Sequence, residues 1–114
     1  MRKGASRSVR QSDLERSFDT QCKWLGLPEP DKEVRFEPSR RWRLDRVWPD
    51  CMVAVAMEGF GHHKLSRYFG DVEKYNAATL AEYRPIRVTT RMIKDGTAVQ
   101  VVAKALEELG GLAT

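Results

Sequence analysis

Two short alternating segments joined by a turn constrain the fold of this chain more than any other part of its sequence. They lie within residues 41–58, RWRLDRVWPDCMVAVAME, and their side chains alternate with the period of two that is typical of β-strands. Pro49 and Asp50, between the segments, are residue types that favour turns. We therefore predict two adjacent strands that fold back on each other at this point.

This hairpin is expected to bring two carboxylates together. In the first strand, Asp45 alternates with Leu44 and Arg46 and so lies on the opposite side from them. In the second strand, Glu58 shares with Ala56 the side opposite the apolar face. Two neighbouring carboxylates repel each other unless a proton or a cation lies between them, so the pair indicates a site for a hard metal ion such as Mg²⁺.

Length and charge indicate a small domain with a polyanionic partner. The 114 residues suit one modest core, and the net charge of +4 comes from Lys and Arg spread along the chain. The sequence has no apolar run of about eighteen residues and no signal segment, so we expect a soluble, cytoplasmic protein without membrane contact. Cys22 and Cys51 lack metal-like or redox spacing and are expected to be reduced thiols in a core.

The periodicities predict the order helix, three strands, helix, strand, helix. The first helix is predicted at 12–25, with a capping box from Ser12 to Glu15, and the first strand at 33–37. A glycine-framed loop at 59–70 precedes a helix at 71–83 that has Asp71 as its N-cap. A fourth strand at 85–89 and a last helix from 96 or 97 to 109 follow.

Residues 1–11 are interpreted as a flexible basic arm ahead of a single domain at 12–114. The arm carries Arg2, Lys3, Arg7 and Arg10 among small polar residues. Such an arm is either a solvated tail or a segment that follows the phosphates of a nucleic acid without reading its sequence.

The acidic positions of the hairpin resemble those of the PD-(D/E)XK nuclease superfamily, which has an Asp ending one strand and an acid-x-Lys triplet on the next. The resemblance covers nearly the whole chain and implies a restriction-endonuclease-like αβββαβ core with a C-terminal helix, a mixed sheet flanked by helices. The chain looks most like phage and archaeal-type Holliday junction-resolving and Vsr-like endonucleases, whose second strand commonly ends Glu-x-Glu-Gly or Glu-x-Lys. Here residues 56–59 read Ala-Met-Glu-Gly.

Ala56 departs from this pattern at the second metal-binding acid. The resemblance implies Mg²⁺, with Mn²⁺ as a substitute, held by Asp45, an acid at position 56, the carbonyl of Met57 and Glu15. Alanine offers no oxygen, so this chain is expected to bind Mg²⁺ poorly and to cut slowly or not at all. A deliberately inactivated Glu-to-Ala variant and a naturally degenerate enzyme both fit, and the otherwise intact pattern favours the first.

The helix after the site strands also resembles this branch, through Glu73-Lys74-Tyr75-Asn76. Lys74 is the implied catalytic lysine, moved from the strand to the helix, because Glu58 occupies the strand position where other relatives keep Lys. Glu58 then binds a second metal, orients water or pairs with Lys74, and these roles stay open. Glu15 is either a capping residue or part of the metal site.

Basic side chains near these acids are predicted to contact DNA. Arginine matches phosphate oxygens with its planar donor fork, although strand edges also carry charges that only meet solvent. The histidines of the glycine-framed loop act in proton transfer or are simply exposed. The predicted DNA-binding residues are Arg40, Arg41, Arg43, Arg46, His62, His63, Lys64 and Arg67.

The resemblance implies a Mg²⁺-dependent endodeoxyribonuclease of DNA recombination and repair, without an organic cofactor. Recognition by shape favours branched double-stranded DNA, and a homodimer would present two sites to the symmetric strands of a Holliday junction. If the protein is encoded by a phage, its location would be the host cytoplasm. The alternatives are a Vsr-like or other structure-selective nicking endonuclease, and a non-catalytic DNA-binding module in which Ala56 is native.

Overall fold

The computed structural model describes residues 11–58 and 65–110, and the side chains of 65–67 lie outside that description. These residues form four strands and four helices. In chain order the elements are α1 (Gln11–Trp24), β1 (Asp31–Arg35), β2 (Arg43–Trp48), β3 (Val53–Glu58), α2 (Leu65–Leu80), β4 (Arg84–Thr89), α3 (Thr90–Asp95) and α4 (Thr97–Glu108). Among the helices so described, none combines the length and apolar composition that a membrane crossing requires.

The described strands form one mixed sheet in the order β1-β2-β3-β4. The pairs β1/β2 and β2/β3 are antiparallel, as short connections allow, whereas β3 and β4 are parallel. Parallel neighbours need a crossover, and α2 supplies it. The predicted α/β class and the predicted order of elements are confirmed, with α3 as an addition.

The alternation of β3 sends its side chains to two different sides of the sheet. Val53, Val55 and Met57 enter the larger core, which also contains Leu14, Phe18, Cys22, Ile93, Ala98, Val99, Val102 and Leu106 of α1, α3 and α4. On the other side, Val47 and Ala54 are buried with Ala78 of α2. The predicted apolar face of the second site strand is therefore confirmed.

Helix α2 begins earlier than the sequence indicated. Asp71 lies inside the helix, so its prediction as an N-cap is wrong, as is the prediction of loop structure for residues 65–70. Gly70 is accommodated in the helix although glycine costs about 1 kcal/mol relative to alanine there. Packing of Ala78 against the sheet stabilises α2 and outweighs this local preference.

Other element boundaries agree more closely with prediction. Strand β1 begins and ends two residues before the predicted strand, and α3 was not predicted. Ser12 lies within α1, so the predicted capping box is wrong. Gly26, with φ 71°, follows the end of α1 as expected.

Cys22 and Cys51 are free and buried, which confirms the interpretation as core thiols.

A buried arginine joins α1 to the sheet. Arg46 of β2 is only 2% exposed. Its Nε and Nη2 donate to the carboxylate of Asp19 at 2.8 and 2.9 Å, and Nη2 also donates to Glu15 Oε1 at 3.3 Å. A cation can be buried only where opposite charges and acceptors surround it. The charge of Arg46 therefore fixes the position of α1, and with it the position of Glu15.

Arg46→Met should destabilise the protein by about 2–3 kcal/mol, because Asp19 and Glu15 lose their buried cation. The cost stays below that of a fully buried pair since both carboxylates keep some contact with water. Urea unfolding measures the difference. The matched control is Arg43→Met on the same strand, which removes an exposed pair with Glu33 and should cost less than about 1 kcal/mol. Equal costs for the two variants would contradict this account of Arg46.

Candidate functional site

Asp45 lies where the pairing of β2 and β3 ends. The paired residues of this ladder run from Trp48 with Val53 to Arg46 with Val55, and Asp45 is the next residue along β2. The Asp45 carboxylate accepts a hydrogen bond from the backbone N–H of Met57 at 2.6 Å. A side-chain oxygen thus satisfies a β3 donor at the point where the strands separate.

The surroundings of Asp45 favour its protonated form. Burial raises the pKa of this carboxyl, and the negative charge of Glu15 raises it further. The Met57 N–H and the charges of Lys74 and Arg46 act in the opposite direction but do not cancel the effect of burial. A half-buried acid with a raised pKa and nearby cations is typical of functional sites.

Glu15 and Lys74 reach Asp45 from different helices. Glu15 of α1 accepts from Arg46 and contributes negative charge at Asp45. Lys74 of α2 contributes positive charge at both Asp45 and Glu58, and its Nζ lies 5.3 Å from the centroid of the Tyr75 ring. The charge of Lys74 therefore acts on both predicted acids, Asp45 and Glu58, and that of Glu15 on Asp45.

Glu58 is an ion-paired carboxylate. Its Oε2 accepts from Arg87 Nε at 2.8 Å and from the Tyr75 hydroxyl at 3.0 Å. Burial raises the pKa of Glu58, but the Arg87 pair, the Tyr75 hydrogen bond and the charge of Lys74 outweigh burial and lower it overall. The sequence left open that Glu58 pairs with Lys74; the ion pair in the structure is with Arg87 instead.

Ala56 occupies the centre of this arrangement without contributing a polar atom. It is 2% exposed and pairs with Arg87 in the β3/β4 ladder. In residues 11–58 and 65–110, no three His, Cys, Asp or Glu side chains are grouped as a metal site. Of the predicted acids, Asp45, Glu15 and Glu58 all already accept hydrogen bonds from protein donors. This donor set does not fit Mg²⁺, which prefers an octahedral shell of oxygens.

The predicted DNA-binding arginines divide into exposed and buried residues. Arg40, Arg41 and Arg43 are exposed at and before the start of β2. The guanidinium carbon of Arg40 lies 4.0 Å from the centroid of the Trp42 ring. Arg46, in contrast, is not the exposed edge charge that was expected, because the carboxylates of α1 hold its guanidinium inside the protein. Its predicted contact with phosphate is therefore corrected to a structural role.

Four further predicted residues lie outside the described part of the structure. They are His62, His63, Lys64 and the side chain of Arg67. In contrast, Tyr75 and Arg87 belong to the site but were not predicted. The sequence did contain a signal for Arg87, which is a single basic residue between the apolar Ile86 and Val88. Alternation along the strand places its side chain on the side opposite theirs.

Protein-family models, curated proteins and solved structures give no match to this chain. The chemistry of the site therefore follows from its own residues. It contains the partly buried carboxyl of Asp45, the carboxylate of Glu58 paired with Arg87, and the ammonium of Lys74. Residue 56, where the resemblance expects an acid, is alanine.

Asp45→Asn should stabilise the folded protein at pH 7, because burial penalises the ionised carboxyl. A carboxyl with a raised folded pKa favours folding in its protonated form, below its ordinary pKa of 3.8. That contribution is lost as the pH rises through the folded pKa. The advantage of the Asn variant should consequently be largest at neutral pH and vanish in acid, as measured by urea unfolding across a pH series.

The matched control for this measurement is Asp45→Ala, which removes the charge together with the acceptor for the Met57 N–H. It should be less stable than the Asn variant at every pH, because a buried donor then lacks its partner. An Asn variant that is less stable than the parent chain at pH 7 would contradict the role given to burial.

Proposed function

We propose that this chain is a DNA nuclease domain of the PD-(D/E)XK type, whose pocket lacks the acid expected at residue 56. The observation that carries the proposal is the position of Asp45. Its carboxylate accepts from the Met57 N–H just beyond the last β2/β3 pair, and the charges of Glu15 and Lys74 both act on it. Helices α1 and α2 thus each contribute a charge at the acid that the resemblance singled out.

The topology supports the same proposal. A helix, an antiparallel set of three strands and a crossover helix into a parallel fourth strand is the order expected of a restriction-endonuclease-like core. Asp45 lies on the second strand and residue 56 on the third, as that core requires for its acids. Fold likeness by itself carries no function, so the weight rests on the site.

The chain's own residues suit phosphate binding better than cleavage. Lys74 can neutralise a phosphate oxygen or orient the attacking group beside Asp45. Since Ala56 contributes no carboxylate, one source of repulsion against the DNA backbone is missing. The residues do not fit a divalent metal as they stand, so we expect DNA binding to persist while hydrolysis is slow or absent.

Branched double-stranded DNA is the substrate that we propose, with a four-way junction as the leading form. A small domain with exposed Arg40, Arg41 and Arg43 suits recognition of backbone and shape. A homodimer would place two such sites on the two equivalent strands of a junction. A structure-selective nicking enzyme shares the same chemistry.

A non-catalytic DNA-binding module is the second candidate, and it is favoured by the methyl group at residue 56.

Ala56→Glu should create Mg²⁺-dependent cleavage of a labelled four-way junction, at least about 100-fold above the parent chain, because it supplies the missing oxygen ligands. Gel assays with four-way junction, nicked duplex and plain duplex, each with Mg²⁺ or EDTA, measure the product. Symmetric cuts in the junction would support resolution, whereas single cuts would support nicking.

The isosteric control is Ala56→Gln, which introduces the same bulk without a carboxylate and should stay inactive. Circular dichroism reports whether both variants fold at this buried position. A folded Glu variant without metal-dependent cleavage of any of the three substrates would leave the binding module standing.

Arg41→Ala should weaken binding to the same junction and reduce the slope of log affinity against log salt by about one, since a phosphate contact releases counterions. Fluorescence anisotropy over a salt series measures both quantities. The control is Arg16→Ala, which removes an exposed arginine paired with Asp13 on α1. An unchanged slope for the Arg41 variant would remove that residue from the DNA surface.

A further inference from the structure

Arg87 belongs to a small network around Glu58 that the proposed chemistry does not yet use. Its Nε donates to Glu58 Oε2, which also accepts from the Tyr75 hydroxyl. The guanidinium carbon lies 4.6 Å from the centroid of the Tyr75 ring. These contacts hold one face and one edge of the guanidinium in a defined position.

The strand register places Arg87 next to Ala56, the position at which the resemblance expects an acid. Ala56 pairs with Arg87 in the parallel β3/β4 ladder, and the next residue of β3, Met57, donates its backbone N–H to the Asp45 carboxylate. Arg87 and Asp45 thus contact neighbouring residues of the same strand from opposite sides of β3 in the sheet order β2-β3-β4. Since the side chain of residue 56 ends at Cβ, that position offers no oxygen that could compete for the guanidinium.

The guanidinium keeps donors for a ligand. Its hydrogen bond to Glu58 uses Nε, and Asp71 Oδ2 lies 3.8 Å from Nη2, which is beyond hydrogen-bond distance. A guanidinium carries several N–H donors in one plane, and the Arg87 side chain is 46% exposed. Arg87 is thus positioned by the protein on one side and open on another.

We propose that Arg87 binds a phosphate of the DNA backbone at the pocket, with Glu58 and Tyr75 as the residues that position it. This inference rests on the proposed function and identifies a substrate contact within the same site. Lys74 and Arg87 then present two cations near the Tyr75 ring, and both act on the charge of Glu58. Burial and the Glu58 charge raise the pKa of Tyr75, so its hydroxyl stays a donor to that carboxylate.

A purely structural ion pair between Arg87 and Glu58 makes a different prediction. Such a pair would contribute to stability alone, and a partly exposed pair contributes little. A phosphate contact would instead change DNA affinity and its salt dependence. Binding measurements therefore separate the two roles.

The test uses the full chain with its native Ala56, in EDTA, and anisotropy of a labelled four-way junction over a salt series. Arg87→Ala should raise Kd about tenfold and lower the salt slope by about one. Arg87→Lys should recover the slope but keep a several-fold loss of affinity, because lysine lacks the planar fork. The matched control is Arg84→Ala, an exposed arginine on β4 whose alternation directs it to the other side, and it should change Kd by less than about twofold.

Equal effects of Arg87→Ala and Arg84→Ala would overturn the inference. If thermal melts show that Arg87→Ala does not fold, Arg87→Lys decides: a folded Lys variant with the affinity of the parent chain also overturns it. The proposed function has a separate readout. If the Ala56→Glu chain never cleaves but Arg87→Ala still weakens DNA binding, the nuclease proposal is wrong and the phosphate contact stands. If the Ala56→Glu chain cleaves but Arg87→Ala leaves DNA affinity unchanged, only the phosphate contact is wrong.

Discussion

The buried guanidinium of Arg46 is the interaction on which the arrangement of this protein depends. A positive charge inside a β-sheet is tolerated only where acceptors surround it, and two carboxylates of α1 provide that compensation through Asp19 and Glu15. The helix is consequently fixed in position along β2. Because Arg46 directly follows Asp45, the contact that stabilises the fold also brings Glu15 to the acid site.

Because side chains alternate along the strands, β3 packs into the larger core on one side of the sheet and places Glu58 on the other. The Val53, Val55 and Met57 side of β3 is packed into the larger core with α1, α3 and α4. The other side faces α2, where Glu58 meets Tyr75 and Arg87. Asp45 lies at the end of the β2/β3 pairing, and residues of both α1 and α2 therefore influence its charge. A functional group at such a point can be held rigidly and still be accessible from the edge of the sheet.

The alanine at residue 56 changes what this pocket can bind. With an acid there, negative charge would exceed the nearby cations, and a divalent ion would be the natural partner. With a methyl group, Asp45 relies on the Met57 N–H and Glu58 on Arg87 for compensation. Glu58 is compensated in this way, whereas the burial of Asp45 is not, because its pKa stays raised.

The local periods of two and of 3.6 along the chain were enough to predict the two hairpin strands, the last helix and the common side of Ala56 and Glu58. Alternation also singled out Asp45 as a candidate, whereas the candidates Lys74 and Glu15 came from the resemblance. Three outcomes could not be predicted in this way: Arg46 is buried, Arg87 is the partner of Glu58, and α2 begins before Asp71. Those outcomes depend on charges and packing between residues far apart in the chain, and no local pattern encodes which distant carboxylate will neutralise a given arginine.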